Sequence, residues 1–234
     1  MANTLIHSTP LFALLIGFIP SVLWLLFWLE IDTDHPEPAR LLLTCFLAGG
    51  LSVFLAAFIQ QGLHGLVQNP DTQVIIWATI EEIVKFGVFY YVAYKSPYAD
   101  GALAPAIHLI VIALGFAAVE NILYVFQPSV LDSGMTLALT GGLRFFGSTL
   151  LHTISSCFIG IMIGISRKKL RIVAIIIGIA GAIFLHATFN FFILRNDTAS
   201  LLQIYGYLWI AAIISHIILE KLRRIDANGA LKQS

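Results

Sequence analysis

Long apolar runs separated by short polar breaks dominate this chain, and their length suits helices rather than strands. A helix rises about 1.5 Å per residue, so about 20 mostly apolar residues cross the hydrocarbon of a bilayer. Runs of that kind cover 11–29, 40–59, 73–94, 104–126, 143–166, 172–194 and 202–220. The breaks between them hold residues that end helices: Asp34-His35-Pro36-Glu37-Pro38, Asn69-Pro70-Asp71, Ser96-Pro97 with Asp100-Gly101, and Gln127-Pro128-Ser129. The stretch 128–142 is too apolar for an ordinary loop, yet Gly141-Gly142 argues against one continuous helix from 136. It reads as a loop or half-buried segment over one mouth of the bundle. The pattern predicts an all-α polytopic membrane protein: one domain over 1–234, a bundle of about seven transmembrane helices.

Composition agrees with this picture and narrows the partners. Hydrophobic residues make up 59% of 234 and charged residues 11%, against about 25% charged in a soluble domain. The net charge is zero and no basic face is evident, so nucleic acid is not an expected partner. Cys45 and Cys157 fall in apolar runs and read as packing residues, not as a disulfide or a metal pair. The first run lacks a basic flank and a small-residue cleavage site and reads as a retained span. With seven spans, Arg40, Lys95, the cluster Arg167-Lys168-Lys169-Leu170-Arg171 and the tail cations share one side, leaving Arg195 opposite. Lys85 and Arg144 lie inside spans. Positive residues mark the cytoplasmic face, which predicts an outside N-terminus and a cytoplasmic C-terminus.

Against this apolar background the buried polar groups stand out. Glu81 and Glu82 sit inside the run 73–94, and an ionised carboxylate at that depth survives only when paired or used. Glu120, His152 and His186 with Asn190 interrupt three other runs. Counted from the predicted helix ends, these groups lie roughly 9–14 Å below the same surface. Four helices therefore bring ionisable groups to one layer.

Local spacing suggests what those groups can do. In Glu81-Glu82-Ile83-Val84-Lys85, the lysine lies four residues from one acid and three from the other, so it can pair with either. The two acids point about 100° apart, so only one can face a cavity squarely. A carboxylate in a low-dielectric pocket makes a competent general base near neutral pH. A purely structural salt bridge would use the same residues, and a lone intramembrane histidine is commonly just a hydrogen-bonded packing group. In His186-Ala187-Thr188-Phe189-Asn190 the imidazole and amide share a face, both able to donate toward a developing oxyanion. Three acids, two histidines and an amide on four helices argue for chemistry more strongly than any pair alone.

These motifs, EExxK at Glu81–Lys85, FxxxEN at Phe116–Asn121, an isolated His152 and HxxxN at His186–Asn190, come in order on successive spans. The pattern resembles the PrsW family of intramembrane proteases, relatives of the CAAX-prenyl endopeptidase and bacteriocin-processing superfamily. The match runs from Glu81 to Asn190, about the central half of the chain, within a core of about 73–194. The resemblance implies hydrolysis of a peptide bond in a membrane-anchored protein, with site-1 cleavage of an anti-sigma factor as the associated bacterial role. It also implies a multi-pass protein of a prokaryotic cytoplasmic membrane. Glu81 and Glu82 match the paired glutamates, Lys85 the lysine, Phe116 and Glu120 the second motif, His152 the third, and His186 and Asn190 the fourth.

Two mechanisms fit these residues. In one, Glu81 or Glu82 with His152 activates water, Lys85 tunes the acid, and His186 with Asn190 steadies the oxyanion. Glu120 then assists proton transfer or orients a histidine. In the other, His152, His186, Glu120 and Glu81 supply ligands for Zn²⁺. HExxH, G-x-S-x-G and an intramembrane aspartate are absent, which removes the standard zincin, serine-elbow and aspartyl arrangements. A proton-coupled transporter or channel is the main competing class, since it would keep the same buried network; no internal repeat supports it. Haem ligation by His108, His152, His186 or His216 is a further alternative, weakened because His108 and His216 lie near span ends. A retinal site fails because the last span has no lysine before Lys221. Gly160-x-x-x-Gly164 and Gly178-x-x-Gly181 read as close-packing positions.

Overall fold

The structure, a computed structural model, describes residues 2–32, 36–99, 101–126, 147–195 and 198–231. Among these, the regular elements are α1 (Ala2–Leu29), α2 (Ala39–Leu63), α3 (Pro70–Val92), α4 (Ala104–Val125), α5 (Ser148–Ile165), α6 (Arg171–Arg195) and α7 (Thr198–Leu231). A single 3-10 turn, Lys168–Leu170, links α5 to α6. The ambiguous stretch 128–142 and Arg144 lie outside the described residues.

Among the described residues, five segments are long and apolar enough to cross a membrane: Ala39–Leu63, Ala104–Val125, Ser148–Ile165, Lys168–Ile193 and Leu202–Asn228. The stretch Gly17–Leu29 of α1 is apolar as well. The helix α3, at 23 residues, has the length, but Glu81, Glu82 and Lys85 occupy its middle. These charges lower its hydropathy, and Glu82 and Lys85 are buried within the bundle.

Local chemistry explains the helix ends. Asn69 caps α3 by accepting the Thr72 N–H at 3.0 Å, and Pro70 and Asp71 fill the first turn. The helix α7 runs to Leu231, past the end of its apolar run at 220. Glu220 accepts from Arg223 at 2.8 Å and Arg224 at 3.0 Å, pairs that support helix on a polar stretch. Hydropathy marks where lipid ends, not where the helix does.

Nearly every residue of α4 is buried, and α1, α2, α3 and α5 pack around it. Lipid offers no hydrophobic drive between helices, so close backbone approach carries the packing. Gly115 of α4 lies directly against the Phe46 backbone of α2, and a side chain there would collide with it. Gly160 and Gly164 of α5 rest in the same way on Ala106 and Ala102. The Gly160-x-x-x-Gly164 pair is thus used within the bundle.

The far end of α4 is closed by a distant residue. Asp226, on the polar extension of α7, accepts the Ala102 N–H and the Leu103 N–H, each at 2.9 Å. Leu103 has no side-chain cap of its own, so this carboxylate meets the exposed amides of the helix start. Gly101, at φ +84°, makes the turn into α4 and leaves room for Asp226.

Candidate active site

The four polar interruptions of the sequence meet in one cluster. Glu81, Glu82 and Lys85 come from α3, Glu120 from α4, His152 from α5 and His186 from α6. Each is held by the fold around it. Phe116, one turn before Glu120, packs its ring 5.4 Å from the His152 ring, and the two imidazoles meet edge to face at 4.9 Å.

Glu82 is the hub. Its Oε1 accepts from Lys85 Nζ at 2.6 Å, from His186 Nδ1 at 2.7 Å and from Ser155 Oγ at 3.1 Å. Glu82 and Lys85 are both fully buried. Taking such a pair out of water costs several kcal/mol per ion, repaid only with good geometry and further hydrogen bonds. The His186 and Ser155 donors supply such bonds to Oε1, while Oε2 of Glu82 is buried with no hydrogen-bond partner among the described residues.

The two histidines have defined faces. The Lys85 ammonium donates, so Nδ1 of His152, 3.2 Å away, accepts, and the ring hydrogen falls on Nε2. That nitrogen then donates to Glu120 Oε2 at 2.7 Å. For His186 the carboxylate of Glu82 accepts, so the hydrogen is on Nδ1 and the Nε2 lone pair is left over. It faces Glu81 Oε2 at 3.6 Å.

Glu81 occupies a different position from its neighbour. It lines a cleft of about 160 Å³ with Gln60, Phe116, Glu120 and the small residues Ala56 and Ala57. Gln60 Nε2 donates to Glu81 Oε1 at 2.8 Å, while Oε2 is buried with no hydrogen-bond partner among the described residues. At 3.6 Å the Glu81 Oε2 and the His186 Nε2 are spaced so that a cation or a shared proton would bind them together.

Ligand atoms of Glu81, His152 and His186 lie within 4.8 Å of one another, a spacing that suits one metal ion. The Glu82 contact on His186 is the outer partner that metal-bound histidines commonly have. His152 would have to release one of its two present partners to join. The donor set fits a metal: Glu81 Oε2 has no hydrogen-bond partner among the described residues and faces His186 Nε2 at 3.6 Å.

Asn190 is half-buried one turn beyond His186, and the structure gives it no hydrogen bond to the cluster. Asn121 is buried and donates to Thr149 Oγ1 at 3.0 Å, tying α4 to α5 beside the site. His108 is fully buried 3.0 Å from Glu37, away from the cluster, and His216 stacks on Phe27. Neither joins the site. Sequence reasoning overlooked Gln60, which sits where an apolar run gives way to polar residues and so reads as a boundary. Ser155 was visible as a serine near His152, but nothing in its spacing points to Glu82.

A family model described as PrsW family intramembrane metalloprotease matches residues 37–217, which include every residue of the cluster. The chain belongs to the PrsW family. It is similar to the protein named Protease PrsW of Geobacillus kaustophilus (strain HTA426), 29% identical over 186 residues, covering 77% of this chain and 79% of that one. It is also similar to the Protease PrsW of Oceanobacillus iheyensis, 26% identical over 223 residues, covering 91% and 95%. No solved structure matches the chain. As a PrsW family member the chain is an intramembrane protease and a multi-pass integral membrane protein.

Proposed function

We propose that this chain cleaves a peptide bond of a membrane-anchored protein at the cleft between α2, α3 and α4, with Glu81, His152 and His186 holding Zn²⁺. The observation that carries this reading is the convergence of those three side chains, with Glu81 Oε2 buried and without a hydrogen-bond partner among the described residues. Nitrogen and carboxylate donors in a three-ligand set are typical of a hydrolytic zinc site. Bound there, the ion would polarise the substrate carbonyl and lower the pKa of a water.

The chain's own residues do the rest. Glu82 holds His186 with its Nε2 lone pair turned toward Glu81. Lys85 balances the buried charge of Glu82 and fixes the His152 ring through Nδ1. Glu120 lines the cleft and is 29% exposed at its side chain, so it is the carboxylate best placed to exchange protons with the reactants. It takes a proton from the attacking water as oxygen bonds to the carbonyl carbon. It then passes that proton to the departing amide nitrogen as the C–N bond breaks, giving a carboxylate and an amine. With Nδ1 kept on Lys85, His152 would hold the ion through Nε2, and its bond to Glu120 is the one released, which frees that carboxylate for the proton.

The substrate class that fits the resemblance is a membrane-anchored anti-sigma factor, and the setting a bacterial cytoplasmic membrane. Two measurements test the proposal. Exhaustive chelation of purified protein should remove proteolysis, and Zn²⁺ should restore it with about one ion per chain. Full activity of the metal-free protein would instead assign water activation to the Glu and His groups alone. Membrane-fragment proteomics of cells expressing wild type or Glu81→Gln should reveal peptides that vanish in the variant. If those peptides are not from a single-span regulator of transcription, the substrate class is wrong.

A further inference from the structure

The Glu81 side chain has three rotatable bonds, and the lysine on its own helix is committed to Glu82. Something else must fix its carboxylate. The hydrogen bond that does so comes from α2: Gln60 Nε2 to Glu81 Oε1 at 2.8 Å. Gln60 is half-buried on the cleft wall, and its neighbour Gln61 is exposed. An ionised carboxylate only accepts, so the amide nitrogen must face it. With Oε1 occupied, the remaining oxygen is the one that faces the His186 Nε2 lone pair at 3.6 Å.

We infer that Gln60 is a positioning residue: it pins one oxygen of Glu81 so that the other is presented toward His186 and His152 as a metal ligand. This rests on the reading of Glu81 as part of the hydrolytic centre. Loss of an outer hydrogen-bond partner typically lowers metal affinity about 10–100-fold. A glutamine from a helix that contributes no ligand thereby couples the α2–α3 packing to the quality of the site.

The test uses full-length protein in detergent with Zn²⁺ and Co²⁺ alone as probes. Gln60→Met keeps the length of the side chain and removes the donor. It should melt within a few degrees of wild type, bind Zn²⁺ about 10-fold or more weakly in chelator competition, and alter the Co²⁺ absorption bands. Gln61→Met makes the same chemical change one residue away on the exposed face and should leave both readouts unchanged. Gln60→Asn, which retains the amide on a shorter stem, should also bind weakly. If Gln60→Met binds both ions as wild type does while Glu81→Gln does not bind, the positioning role is wrong and the site assignment stands. If wild type and Glu81→Gln bind equally poorly, the site assignment fails and this inference falls with it.

Discussion

Lys85 is sealed from solvent, yet its ammonium lies 2.6 Å from Glu82 and 3.2 Å from His152 Nδ1. Lys85→Met would keep the stem and delete the charge, leaving Glu82 buried without its cation. That should cost about 3–5 kcal/mol, read as a large drop in thermal midpoint in detergent. A double variant Lys85→Met with Glu82→Leu should recover part of the loss, because the uncompensated charge is gone. The spacing of EExxK allowed the lysine to pair with either acid, and packing chose the one three residues away. Sequence alone had no means of choosing, since the choice depends on His186 and Ser155 arriving from α6 and α5 to share Glu82. The divergence of two adjacent acids by about 100° was readable, and it separates a hub from a cleft-lining group. Gln60 was not readable, because its role exists only where α2 meets α3.

Helix existence was legible in the apolar runs because the bilayer demands about 20 apolar residues per crossing. The helix ends were less so. The C-terminal helix continues on ion pairs and polar contacts that a hydropathy pattern does not register. The α3 helix shows the converse, with length enough but too much charge for composition alone to mark it as a span. Contacts between helices depend on positions without side chains. Gly115→Val would drive a branched side chain into the Phe46 backbone and push α2 from α4. Overpacking of this kind costs about 1–3 kcal/mol. Since α2 carries Gln60 and α4 carries Glu120, the same variant should weaken Zn²⁺ binding as well as lower the melting midpoint. Both would be measured on one purified sample.

At the scale of the whole molecule, a hydrolase inside lipid needs a route for water. The cleft lined by Ala57, Gln60, Glu81 and Glu120 is the described opening that reaches the cluster. Ala57→Cys should react quickly with a charged, water-borne maleimide. Phe58→Cys, on the neighbouring position where the native ring is 76% exposed toward the lipid-facing side, should react slowly. A thiol ionises and reacts only where water reaches it. Equal labelling of both would mean that the cleft is no wetter than the outer surface. The central placement of α4, buried on nearly all sides, sets these distances: it carries Glu120 near one end and the Asp226 contact at the other.

That last contact matters to anyone who edits the chain. The amino end of α4 is held by a carboxylate more than 120 residues downstream, from Asp226 to Ala102. A fusion protein joined soon after residue 220, where the apolar run stops, would discard this clasp. Reporter and affinity handles are better attached beyond Leu231, so that the helix bearing Glu120 keeps its anchor at the opposite membrane face.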